Sequence, residues 1–140
     1  MIKLNYVLDS YSLIAFFQNE KGANTVADLI TEAQNGDLIL FLHSVNWGEI
    51  YYTAYREKGV TAAQKVADTI RKLPILVIED ASLNFISGVA TIKGKYSLAY
   101  ADAFAIWLGL SKNAFLVTGD PEIIKASKKE NKLKVINIRE

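Results

Sequence analysis

Short apolar runs alternate with longer stretches of helix-spaced apolar residues along this chain. Leu4 to Leu8 is a compact run that predicts a strand, with Asp9 at its carboxyl end. Ser10 to Phe17 carries apolar residues at helical spacing. Asn24 to Ala33 predicts a second helix, ended by Asn35-Gly36, and Leu38 to Leu42 a buried strand. Ser44 stands where it can cap a helix reaching Lys58, with Gly59 as its stop signal. Thr61 opens another helix that runs through Lys72 and ends before Pro74. Ile75 to Ile78 is largely β-branched and predicts a strand, after which Ser82 can cap a helix to about Lys93. Ala99 to Ser111 predicts a strongly apolar helix, Phe115 to Thr118 a strand, Pro121 to about Lys129 a helix, and Val135 to Ile138 a last strand.

Alternating short apolar strands and helices imply a mostly parallel sheet with helices on both faces, a three-layer α/β/α arrangement. No repeat, low-complexity tract or linker interrupts residues 1–140, which predicts a single domain. In open sheets of this kind, ligands collect at the carboxyl ends of the strands. That directs attention to Asp9 and Asp120.

Composition narrows the chemistry. Apolar residues make up 51% of the 140 and charged residues 22%, enough for a sizeable core and against disorder. Sixteen basic residues oppose fifteen acidic ones, so any nucleic-acid contact must come from local patches. The absence of cysteine excludes disulfides, thiolate nucleophiles and thiolate zinc sites. The single histidine, His43, excludes histidine-pair ribonuclease chemistry and reads as a structural residue at a strand end. Residues 1–5 lack a signal-peptide pattern, and no apolar run reaches the length of a membrane span, so a cytoplasmic protein is expected.

Asp102 is the only charge between Ala99 and Leu110, and its helical neighbours Leu98, Ala99, Ala105 and Ile106 are all apolar. A buried carboxylate without a partner costs several kcal/mol or becomes protonated, so a partner elsewhere in the fold or a bound cation is expected. Asp120 opens Asp120-Pro121-Glu122, a sequence equally suited to capping a helix and to binding a ligand. Asp9 is more readily functional, because Ser10 is available as the cap. Glu49 lies in the N-terminal half of its helix, where a dipole role serves as well as a site role. If the four acids converge they repel one another, and a hard divalent cation with oxygen ligands, Mg²⁺ or Mn²⁺, resolves the repulsion.

Four segments carry a resemblance: Tyr6-Val7-Leu8-Asp9-Ser10, Asn46-Trp47-Gly48-Glu49-Ile50-Tyr51-Tyr52, Ser97 through Ala105 around Asp102, and Leu116-Val117-Thr118-Gly119-Asp120-Pro121-Glu122. In this order and spacing the chain resembles a PIN-domain ribonuclease, most of all the toxin subunit of VapBC-type toxin–antitoxin pairs. The segment before Asp102 has one extra residue, Tyr100, which shifts the expected helix start. The resemblance implies a metal site of Asp9, Glu49, Asp102 and Asp120, with Ser10 and Thr118 as supporting hydroxyls. It also implies RNA as substrate, Mg²⁺ or Mn²⁺ as cofactor, a small antitoxin that blocks the groove, and a homodimer.

Phosphates of RNA can be met by Lys125, Lys128 and Lys129, in a basic stretch that continues to Lys132 and Lys134, and by Arg56 beside Lys58. A solvated helix face explains the lysines as well. Tyr51, Tyr52 and Tyr55 are open to base stacking, to the core or to a dimer face. Two other readings keep the fold: an RNA-processing nuclease that is not a toxin, and a PIN module that binds metal or protein without catalysis. A phosphoryl-accepting receiver domain would need a second acid beside Asp9, and dinucleotide binding would need a G-x-G-x-x-G turn; neither is present.

Overall fold

The computed structural model describes residues 2–140. Five strands form one sheet: β1 (Leu4–Leu8), β2 (Leu38–His43), β3 (Ile75–Ile78), β4 (Phe115–Thr118) and β5 (Lys134–Asn137). Their order is β3-β2-β1-β4-β5, and every pairing is parallel. The helices are α1 (Ser10–Phe17), α2 (Ala23–Gln34), α3 (Ser44–Lys58), α4 (Val60–Lys72), α5 (Leu83–Lys95), α6 (Tyr100–Ser111) and α7 (Pro121–Ser127).

Period-two alternation on the central strands sorts the core into two layers. Val7, Phe41 and Leu116 pack with residues of α5 and α6, including Val89, Phe104 and Ile106. Leu8, Leu40, Leu42 and Val117 pack on the other face with Leu13, Val26, Ile50 and Ile70 of α1 to α4. This is the expected three-layer α/β/α arrangement. Among the described residues no helix is long and apolar enough to cross a membrane.

Two glycines are required by geometry. Gly59 alone joins α3 to α4, at φ 89° and ψ −175°, a region that side chains avoid. Gly88 lets α5 close on α6, since a Cβ there would stand 2.1 Å from the Trp107 ring.

Helix starts depart from the expectations in an instructive way. His43, not Ser44, caps α3: its Nδ1 accepts the Val45 N–H at 3.1 Å, and Nε2 donates to the Asp80 carbonyl at 2.9 Å. Its ring also stacks on Phe85 at 5.2 Å, and burial holds its pKa below the ordinary value, so it is a neutral structural residue. Asp9, not Ser10, caps α1. Helix α6 starts at Tyr100 with no side-chain cap, and α7 stops at Ser127, short of Lys129.

Candidate active site

Strand order reverses between β1 and β4: the chain moves outward from β1 through β2 to β3, then returns to place β4 on the other side of β1. A crevice opens at the carboxyl ends of two strands that part in this way. Asp9 follows β1 there, and Asp120 follows β4 across one residue, Gly119.

Asp9 is buried. Its Oδ1 accepts the Ser12 N–H at 2.8 Å, and its Oδ2 accepts the Thr118 hydroxyl. The Thr118 oxygen in turn accepts the Asp120 N–H at 3.0 Å. One buried hydroxyl therefore ties the ends of β1 and β4 together. Burial pushes the Asp9 carboxyl up to about 7; the Thr118 and Ser12 hydrogen bonds oppose this, and the Asp120 charge adds to it.

Asp120 performs the capping role that its sequence suggested, and does so with one oxygen. Oδ1 accepts the N–H groups of Glu122 at 2.8 Å and Ile123 at 3.3 Å. Oδ2 takes no protein hydrogen bond among the described residues, so capping leaves it available for a ligand.

Asp102 lies buried in the first turn of α6. Its carboxyl is pushed up to about 7, first by burial and then by the charges of Asp120, Glu49 and Asp9. The three other acids of the expected set are thus the groups whose fields reach it. No lysine or arginine pairs with it among the described residues.

Glu49 is half-buried on α3 and is held by a residue the sequence reading passed over. Asn46 is fully buried; its Nδ2 donates to Glu49 Oε1 at 3.2 Å and to the Ala101 carbonyl at 3.0 Å. It links Glu49 to the turn that carries Asp102. Its Oδ1 has no partner among the described residues. A signal for Asn46 existed: an amide one helical turn before Glu49, placed to reach its carboxylate. Glu122 was also missed except as part of a cap. One carboxylate oxygen each from Asp102, Asp120 and Glu122 lie within 4.8 Å of one another.

The two expected supporting hydroxyls differ in their contacts. Thr118 joins the site as described. Ser10 opens α1 half-buried and makes no side-chain hydrogen bond among the described residues, whereas Ser12 holds Asp9 from both sides, its Oγ donating to the Asp9 carbonyl at 3.0 Å. Tyr11 covers Gly119, where a Cβ would stand 2.3 Å from its ring.

The basic residues divide. Lys125 and Lys129 line a groove with Glu122, while Lys128 is exposed and does not. Lys134 opens β5, at the amino ends of the strands, bonded to the Asn113 carbonyl at 3.3 Å and over the Phe115 ring. Arg56 sits two turns along α3 from Glu49, its guanidinium 5.3 Å from the centre of the Tyr52 ring. Tyr52 and Tyr55 are exposed, and Tyr51 stacks on Trp47 at 5.4 Å, so the first two are not core residues.

Among the described residues, the carboxylate oxygens close enough to share an ion are those of Asp102, Asp120 and Glu122; Asp9 and Glu49 stand outside that group, and both Asp9 oxygens already accept protein hydrogen bonds. That set fits a hard divalent cation, which would relieve the repulsion that adds to burial in raising the Asp102 carboxyl. The PIN domain family matches residues 6–129, and the chain belongs to that family of nucleases. PIN nucleases use divalent metals, and the acidic group is suited to one.

Solved structures similar to the chain include VapBC2 from Rickettsia felis bound to a DNA fragment from its promoter, at 18% identity and TM-score 0.71, covering 96% of this chain and 98% of that one. VapBC-1 from nontypeable Haemophilus influenzae follows at 16% identity and TM-score 0.71, covering 98% and 100%. DNA-bound VapBC from Salmonella typhimurium has 13% identity and TM-score 0.69, covering 96% and 98%. At these identities the likeness is one of fold. Among curated proteins no significant sequence match is found.

Proposed function

We propose that residues 1–140 act as one metal-dependent endoribonuclease domain, the toxin of a VapBC-type pair, which hydrolyses RNA phosphodiesters at Asp9, Glu49, Asp102 and Asp120. The observation that carries this reading is the meeting of carboxylate oxygens from Asp102, Asp120 and Glu122 within 4.8 Å of one another beside the carboxyl ends of β1 and β4. Without a cation such a cluster only weakens the fold, so its presence argues for a cation-dependent task.

Asp9, Glu49, Asp102 and Asp120 would hold Mg²⁺ or Mn²⁺. The bound ion supplies Lewis acidity, which acidifies a water and offsets charge on the phosphate. The chain's own groups do the rest. Thr118 and Ser12 fix the Asp9 carboxylate, and Asn46 fixes Glu49. A carboxylate not fully engaged as a ligand accepts the proton of the attacking water. Water attack gives 5′-phosphate and 3′-hydroxyl ends.

Support for a protein partner comes from an apolar groove of about 620 Å³ between α1, α3 and α4, lined by residues such as Phe17, Ile50 and Val66. It suits an apolar helix of a small antitoxin, in keeping with the two-component VapBC structures of like fold. Exposed Tyr52, Tyr55 and Val60 favour a homodimer contact along α3 and α4. The expected compartment is the cytoplasm, where RNA is met.

The test is incubation of total cellular RNA with the protein and Mn²⁺, beside an EDTA control and Asp102→Asn, with mapping of new 5′ ends. Discrete cuts lost in both controls are expected. Cuts that persist in Asp102→Asn, or ends bearing 2′,3′-cyclic phosphate, would overturn the mechanism.

A further inference from the structure

Resting on the ribonuclease reading, one further feature concerns how a polyanion reaches an acidic centre. The end of α5 and the length of α7 enclose a groove of about 370 Å³, lined by Lys95, Tyr96, Ser97, Glu122, Lys125 and Lys129. Glu122, Lys125 and Lys129 stand three and four residues apart, so they follow one side of α7 and the turn beyond it. Glu122 belongs to both neighbourhoods, since its carboxylate lies within 4.8 Å of ligand oxygens of Asp102 and Asp120. The groove therefore runs directly out of the acid cluster.

Its charges are unevenly compensated. Lys95 meets Glu130 at 3.7 Å, and the Tyr96 hydroxyl donates to the same carboxylate at 2.9 Å. Lys125 and Lys129 have no carboxylate within ion-pair distance among the described residues. Glu130 thus anchors the Tyr96 side chain and leaves two cations for an incoming anion.

We propose that this groove is the subsite for the nucleotide next to the scissile phosphate of single-stranded RNA, its phosphate held by Lys125 and Lys129 and its base beside Tyr96. A phosphate so held draws the strand across a centre that would otherwise repel it. Tyr96 is half-buried, its ring packed against the core and its hydroxyl tethered to Glu130, so it forms a fixed wall beside which the base can lie. The strand leaves the cluster along α7, toward the amino end of β5, where Lys134 is already bonded to the Asn113 carbonyl.

The experiment compares the Mn²⁺-loaded wild type, Lys125→Ala/Lys129→Ala and a charge-matched control, Lys21→Ala/Lys72→Ala. The probes are a fluorescein-labelled oligouridylate, read by anisotropy over a salt series, and total RNA, read by cleavage. The groove variant is expected to bind about 10-fold more weakly and to lose about 0.7 from the slope of log affinity against log salt, the amount for one neutralised phosphate of a single strand. Its KM should rise with kcat nearly kept, and its melting temperature and Mn²⁺ affinity should match wild type. A groove variant that binds like the control overturns the subsite while leaving the ribonuclease reading intact. A wild type that neither binds nor cuts RNA overturns both.

Discussion

The Thr118 hydroxyl donates its proton to Asp9 Oδ2 across the join between β4 and β1, residues 109 positions apart in the chain. Because that proton is committed, the same oxygen must accept from Asp120 N–H, which fixes the direction of both bonds. Thr118→Val keeps the shape and removes the bridge. A hydrogen bond to a charged group contributes ~1.5–3 kcal/mol, so kcat/KM should fall about 10- to 100-fold. Thr118→Ser should recover most of it. Wild-type turnover in the valine variant would sink the bridging role.

Stability should run against the usual trend with pH. Asp9 and Asp102 move from the ordinary 3.8 to about 7 in the fold. Between those values the native state binds more protons than the unfolded chain, so their contribution declines as pH rises from about 4 to 7. The melting temperature of the metal-free protein should therefore drop over this window, and Mn²⁺ should restore it most strongly above pH 7. A metal-free melting curve that rises through the same window would refute the assignment of raised carboxyls.

Removing the repulsion should separate stability from function. Asp102→Asn takes away a charge opposed by burial and three acids. At pH 8 without metal its melting temperature should exceed that of wild type. The stabilisation conferred by Mn²⁺ should shrink, because a ligand is lost. Equal Mn²⁺-induced shifts in the two proteins would remove Asp102 from the cation site.

The Thr118-Gly119-Asp120 turn has no space for a side chain beneath Tyr11. Gly119→Ala should push the Tyr11 ring away and cost about 1–3 kcal/mol of stability as overpacking. Adding Tyr11→Ala should recover part of that loss in urea melts. If the double variant is no more stable than Gly119→Ala alone, the contact is not the reason for the glycine.

Much of this was legible in the sequence because the signals were local. Apolar periodicity placed all five strands within a residue or so of their observed ends, and the lone charge in α6 marked Asp102. Asn46 and Ser12 were not legible in the same way. Each acts through a hydrogen bond set by tertiary approach: Asn46 reaches Ala101, 55 residues away, and Ser12 matters only because Asp9 caps α1. The cap at His43 was hidden for a related reason. A serine is the better intrinsic cap, but the imidazole is already held between Val45 and Asp80, and Ser44 is carried into the helix. The lysine run looked uniform in sequence, yet the end of α7 sends Lys125 and Lys129 to one side and Lys134 to another.

The central place of β1 in the sheet has a consequence for how the protein is made. Asp9 is synthesised more than a hundred residues before its bridging partner Thr118 and its neighbour Asp120. Until Phe115–Thr118 docks, β1 has an open edge and the crevice has only one wall. On the proposed ribonuclease reading, a nascent chain in which Phe115–Thr118 has not yet docked carries no assembled cutting centre. On that reading, any hazard to the cell begins when the fourth strand closes, which is also when an inhibiting partner would meet a finished surface.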